Sequence, residues 1–164
     1  MKTTLLFLAM AGLLGACANT NDAAGDARVL TVPLQAGPQN RGEIAEATLV
    51  ARGEETDVNF FIGGVPSGTT RPLQLLTFIY PGSCAQLGPQ PAYAMNSTVH
   101  ATIAGGGWKL GKTVPVALTS LRGGKYSIVV RTTPADRNLD IFCGTIQYGA
   151  GRRRDCRQAG PTRS

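Results

Sequence analysis

From Val29 onward, apolar and polar residues alternate with a period of two, the pattern of strands that bury one face. Val29 to Leu34 opens the series, and then Ala47, Leu49 and Ala51 face one way while Glu46, Thr48 and Arg52 face the other. Val58, Phe60 and Ile62 repeat the spacing before Gly63-Gly64-Val65-Pro66-Ser67-Gly68 turns the chain. Leu73, Leu75, Thr77 and Ile79 form the next run, closed by Pro81-Gly82, and Val99, Ala101 and Ile103 lead into Gly105-Gly106-Gly107. Three more runs complete about eight short strands: Val114, Val116, Leu118; Tyr126, Ile128, Val130; and Leu139, Ile141, Cys143. No stretch beyond the N-terminal segment carries the stripe of an amphipathic helix. The pattern predicts an all-β protein, an antiparallel β-sandwich or flattened barrel.

Composition sharpens this picture. A chain of 164 residues supports one domain, and 21 Gly with 10 Pro favour tight turns over long helices. Apolar residues make up 43%, enough for a core, and a single His rules out a multi-histidine metal centre within one chain.

The first residues have a different character. Lys2 is followed by an apolar run from Leu5 to Leu14, too short to cross a bilayer as a helix but suited to the core of a secretory signal peptide. The run closes with Leu14-Gly15-Ala16-Cys17, which resembles the bacterial lipobox. That resemblance implies a signal peptide over 1–16 and a mature chain beginning at lipidated Cys17. Its acyl chains each contribute about 0.8 kcal/mol per buried CH₂. Ala18 stands where an Asp would imply inner-membrane retention, which favours the outer membrane. Residues 17–28 read as a small, polar, flexible tether, 29–150 as the sandwich and 151–164 as a basic disordered tail.

The net charge of +6 falls to +5 without Lys2, and the tail from Arg152 carries +4 of it, five arginines against Asp155. The remaining body is near neutral. A basic face interleaved with aromatics, as nucleic-acid binding requires, is missing from the pattern. The tail reads as a solvated terminus, or as a patch for anionic lipid, lipopolysaccharide phosphates or peptidoglycan carboxylates. Three cysteines remain after Cys17. Export to an oxidising compartment makes a disulfide the expectation. Cys84 and Cys143 both lie in ordered-looking segments, and joining them closes a loop worth about 4 kcal/mol on a chain-entropy estimate. Cys156 is then left over, to remain free, to pair with another chain, or to displace one of the other two.

Phe78-Ile79-Tyr80-Pro81-Gly82-Ser83-Cys84 followed by Gly88-Pro89 resembles the first half of the copper–zinc superoxide dismutase pattern: His-x-His, a Gly, then a Cys a few residues before Gly-Pro. Tyr126 to Arg131, a turn, and Ile141-Phe142-Cys143-Gly144-Thr145-Ile146 resemble its second half, a metal-ligand strand and then the Cys-Gly of the disulfide. Phe60 to Gly68 is similar to the strand and turn that precede the metal strand. The resemblance covers residues 45–147 and implies a Greek-key β-sandwich with a Cys84–Cys143 bridge. It departs from the family at every metal position. Phe78 and Tyr80 replace the copper pair, no His occupies 129–131, Gln90 to Tyr93 offer none for zinc, and Asp140 takes the place of the anion-guiding arginine. Copper chemistry needs several imidazoles on one ion, so the resemblance implies a scaffold without its cofactor, and a fold does not carry function with it.

Gly106 to Thr113 matches G-x-x-x-x-G-K-[ST], but a phosphate loop needs a helix after it and Val114-Pro115-Val116 reads as strand, so no nucleotide is expected. His100 falls on a polar face, an exposed sheet histidine or a weak metal ligand. Phe78 and Tyr80 alternate away from Leu75 and Ile79, which points either to packing beneath the Gly88–Asn96 loop or to an exposed binding patch. Tyr93 could join either, and Trp108 beside Lys109 and Lys112 is a second contact candidate. The functional expectation is a non-enzymatic, lipid-anchored envelope protein: a binding module using Phe78, Tyr80, Tyr93 and Trp108, without metal or other cofactor. Its partner would be an envelope protein, lipopolysaccharide or peptidoglycan. The alternative is a periplasmic copper or zinc handler built on His100 with Met95 or carboxylates.

Overall fold

The computed structural model describes residues 28–147. The signal segment, Cys17, the tether, Cys156 and the arginine tail lie outside the described residues. Ten strands form an antiparallel β-sandwich: β1 Val29–Ala36, β2 Ala45–Arg52, β3 Glu55–Ile62, β4 Leu75–Ser83, β5 Gln86–Leu87, β6 Tyr93–Ala94, β7 Thr102–Ala104, β8 Gly107–Val114, β9 Tyr126–Thr132 and β10 Asp140–Ile146. One helical turn, α1 (Leu118–Leu121), precedes β9. The first sheet runs β1-β2-β3-β8-β7 and the second β1-β10-β9-β4-β6, so β1 belongs to both. The chain passes between sheets from β3 to β4 at one pole and from β8 to β9 at the other, the crossings of a Greek key.

The core lies between the sheets, where period-two alternation sends Ala47, Leu49, Val58, Phe60, Ile62, Leu75, Ile79, Ile128 and Val130 inward. The second side of the sandwich is sealed by residues 92–101. Ala92 N–H donates to Ile79 O, Met95 N–H to Thr77 O, and Ala101 N–H to Leu73 O, while Leu75 N–H donates to Val99 O. The Asn96 side-chain oxygen accepts from Thr77 N–H at 2.8 Å. These bonds satisfy the edge of β4, which would otherwise be an open template for another strand.

Two expectations fail for identifiable reasons. The run at 114–118 is not a strand: the strand is Gly107–Val114, followed by α1. Leu110, Lys112 and Val114 point inward on β8, and a lysine at an apolar position, between Gly111 and Thr113, hides the period. The phosphate-loop match therefore lies in a hairpin and a strand, with its backbone paired to β3 and β7. At β10 the register shifts between Asp140 and Phe142. This bulge reverses the alternation, so Ile141 and Phe142 are both buried and Cys143 faces outward instead of sharing the face of Ile141.

Cys84 and Cys143 are joined, with 5.9 Å between their Cα atoms and a sequence separation of 59. The bond ties the β4–β5 turn across β9 to β10. Cys84 N–H donates to Thr145 Oγ1, and Ser127 Oγ donates to Gly82 O. Replacing both cysteines by serine should lower unfolding free energy by about 4 kcal/mol, read as a shifted urea midpoint for the oxidised protein relative to the double variant.

Lys112 is 7% exposed, and its Nζ is buried without a hydrogen-bond partner. Desolvation lowers its pKa from the usual lysine value. The unfolded chain therefore holds this proton to higher pH than the folded one, and stability should rise as pH climbs from the folded pKa toward the ordinary lysine range. Lys112→Met should stabilise the fold by about 1–3 kcal/mol at neutral pH and abolish that alkaline gain, both measurable by thermal melts across pH.

Candidate functional site

The outer face of the second sheet gathers the positions at which the sequence resemblance expects a metal site. Register sets Phe78 opposite Val129 and Tyr80 opposite Ser127 on β4 and β9, and Arg131 opposite Asp140 on β9 and β10. Alternation turns Phe78, Tyr80, Val129 and Arg131 away from the inter-sheet core. The rings of Phe78 and Tyr80 lie 6.0 Å apart, tilted by 58°. The Arg131 guanidinium sits 5.2 Å from the Phe78 ring centroid, a cation–π contact. It also forms a two-pronged pair with Asp140, Nε to Oδ1 and Nη2 to Oδ2, the latter at 3.0 Å. Arg131 is held above the ordinary guanidinium pKa mainly by its hydrogen bond to Asp140, with a smaller contribution from Tyr80. Val129 is fully buried yet stands outside the inter-sheet core, so it floors a second, smaller apolar layer.

Phe78, Tyr80 and Tyr93, expected to share a surface, do not lie on one face, and the second candidate, Trp108, lies elsewhere. Tyr80 is only 8% exposed and Phe78 is half-buried beside Arg131. Tyr93 pairs opposite Ile79 and packs against the inter-sheet core, on the other face from Phe78 and Tyr80. The Gly88–Asn96 loop carries β6 along the edge of β4. Trp108 lies at the far end of the first sheet, half-buried against the core, with Arg71 5.0 Å from its ring centroid. Alternation read correctly that Phe78 and Tyr80 face away from Leu75. Arg131 and Asp140 came into the cluster only through strand register, which a single sequence does not display.

His100 is exposed, bridged through its backbone to Gln74, while Met95 is 4% exposed in the core. Among the described residues no group of three His, Cys, Asp or Glu side chains could hold a metal ion.

The pole opposite the chain ends carries a different surface. Val29 and Ile146 lie at one pole, while the β1–β2, β3–β4, β7–β8 and β9–β10 connections meet at the other. There Ile103 is 84% exposed and Ile44 68% exposed, and Ile103 pairs opposite Trp108. Glycine suits position 63 at this end, because a Cβ there would lie 2.8 Å from Ile44 Cγ1 and 2.9 Å from Ile44 O. Asp136 clamps the same pole: its carboxylate accepts from Thr70 N–H at 2.9 Å, from Thr70 Oγ1 at 2.8 Å and from Thr133 Oγ1.

Comparison with protein-family models, with curated proteins and with solved structures found no match.

The bonds from Thr70 hold the Asp136 carboxyl below the usual carboxylate pKa. Such a group contributes stability above its unfolded pKa, and that contribution is lost as pH falls through the lower folded value. Asp136→Asn should remove that acid-side loss. It should also speed amide exchange over residues 66–72, as hydrogen exchange on both proteins between pH 2 and 6 would show.

Proposed function

We propose that this chain is a non-enzymatic envelope lipoprotein, anchored through Cys17, whose sandwich serves as a binding module on a superoxide-dismutase-like scaffold that has lost its metal site. The observation that carries this reading is the content of the outer face. Phe78 and Tyr80, at the positions expected of the copper pair, lie beside an Arg131–Asp140 ion pair. No imidazole stands on this face, copper chemistry needs several on one ion, and the Asp140 carboxylate is already paired with Arg131. These side chains build instead a filled, hydrogen-bonded surface that resists rearrangement.

The polarity of the fold supports the anchoring part of the reading. A 12-residue tether between Cys17 and Val29 spans about 20 Å as a random coil and enters the sandwich at the pole of Val29 and Ile146. The opposite pole, with Ile44, Ile103 and the Arg71–Trp108 pair, then faces away from the bilayer. Exposed isoleucines beside a cation-stacked tryptophan are the kind of residues that protein interfaces enrich. The partner is an envelope component on that side, with the tail arginines adding attraction to anionic groups near the membrane.

Detergent phase partition and intact mass of protein made in a Gram-negative host should show an acylated, detergent-phase chain, and Cys17→Ser should be aqueous and unmodified. Photo-crosslinkers at Ile103 and Ile44 should trap an envelope component that crosslinkers at Glu54, near the anchored pole, do not. An aqueous wild type would overturn the lipoprotein reading, and crosslinks from the Glu54 position alone would overturn the placement of the binding face. Tight one-to-one uptake of copper or zinc by residues 18–164 in native mass spectrometry would overturn the metal-free reading.

A further inference from the structure

Strand β7 ends the first sheet. Thr102, Ile103 and Ala104 pair with Lys109, Trp108 and Gly107 of β8, and among the described residues no backbone hydrogen bond reaches them from the other side. The register aligns one row across the sheet at this level: Ala45 opposite Ile62, Ile62 opposite Trp108, and Trp108 opposite Ile103. Residues directly opposite one another share a face, so this row runs along the inner side of the sheet. Ala45 and Ile62 are buried and Trp108 is half-buried against the core, while Ile103 is 84% exposed. The last residue of a core-facing row therefore stands at an open backbone edge.

Other edges of the sandwich are guarded. The edge of β4 is covered by β6 and by bonds from residues 92–101. Beyond Lys109, β8 carries the inward Lys112, and a charge turned inward discourages edge pairing. β7 has neither protection. From Ala101 to Trp108 the chain holds no charged residue and no proline, and an unguarded edge with an exposed apolar side chain is a template for another strand. We infer that the strand it takes is β7 of a second copy of this chain, paired antiparallel about a twofold axis at Ile103. Thr102 of each copy then lies opposite Ala104 of the other, and the two Ile103 side chains lie opposite one another on the inner face. An isologous contact brings the same patch from both copies, so the exposed isoleucine meets its equal and no charge is buried. Val29 and Ile146 lie at the other pole and leave the edge clear. Each copy offers this edge once, so the assembly closes at two. The inference rests on the reading of the far pole as an interaction surface and names the envelope component there as a second copy; it does not rest on the anchor at Cys17. Under the anchored reading, two copies on one membrane pair by lying along it, which a flexible tether permits.

Sedimentation velocity on the full-length Cys17→Ser chain, free of an acyl anchor, should show a monomer passing to a dimer, the dimer fraction growing several-fold over a hundredfold rise in concentration. The chain's single tryptophan, Trp108, should shift its emission to the blue over the same range, and amides within 102–104 should gain exchange protection. Ile103→Lys sets two lysines opposite one another and should lower the association constant about tenfold or more. Its thermal midpoint at low concentration should not move, because the residue is exposed in the single chain. Ile44→Lys, at the same pole but off the edge, should leave the dimer intact. A monomer at every concentration overturns the inference, as do masses beyond two copies, or a dimer that survives Ile103→Lys or leaves Trp108 and residues 102–104 unchanged. A chain that stays monomeric while its Ile103 crosslinker traps a different envelope component overturns the second copy and leaves the proposed binding face standing.

Discussion

One strand holds the two layers of this sandwich together. β1 lends Val29 to Leu34 to the first sheet and Gln35 to Ala36 to the second, and both sheets take their relative position from that change of partner. Gly144 makes the junction possible, since a Cβ there would sit 2.5 Å from Leu34 Cδ2 and 2.7 Å from Pro33 O. The disulfide then fixes the second sheet from outside, reaching over β9 to the strand that β1 holds.

That arrangement leaves two chemically different exteriors. The outer face of the second sheet is consolidated: Val129 is covered, Tyr80 is nearly so, and Arg131 is shared between Phe78 and Asp140. At the far pole the loops present exposed isoleucines and a tryptophan, with the backbone tied by Asp136 to Thr70. Apolar groups already exposed gain from being covered while groups already satisfied gain little, which is why the proposed binding role is assigned to the far pole.

Most of the fold was legible in the chain. Alternation marked β2, β3, β4 and β9 with their correct inward faces, and a glycine and proline cluster marked the turn after Ile62, whereas Pro81-Gly82 does not close β4, which runs on to Ser83. The two cysteines that pair were those in ordered segments. The pattern misled where one residue broke parity: Lys112 at an inward position masked β8, and the bulge at Asp140 turned Cys143 outward.

The chain by itself determined which residues point inward, because side-chain alternation is a property of each strand alone and burial follows from hydrophobicity. It determined equally that the histidines of a copper site are missing. Tertiary structure alone decided which outward residues become neighbours, since that depends on strand order and register across crossings of many residues. Hence Arg131 and Asp140 joined Phe78 and Tyr80, Tyr93 fell on the opposite face, Trp108 went to the far pole, and the disulfide came to tie the turn after β4 to β10.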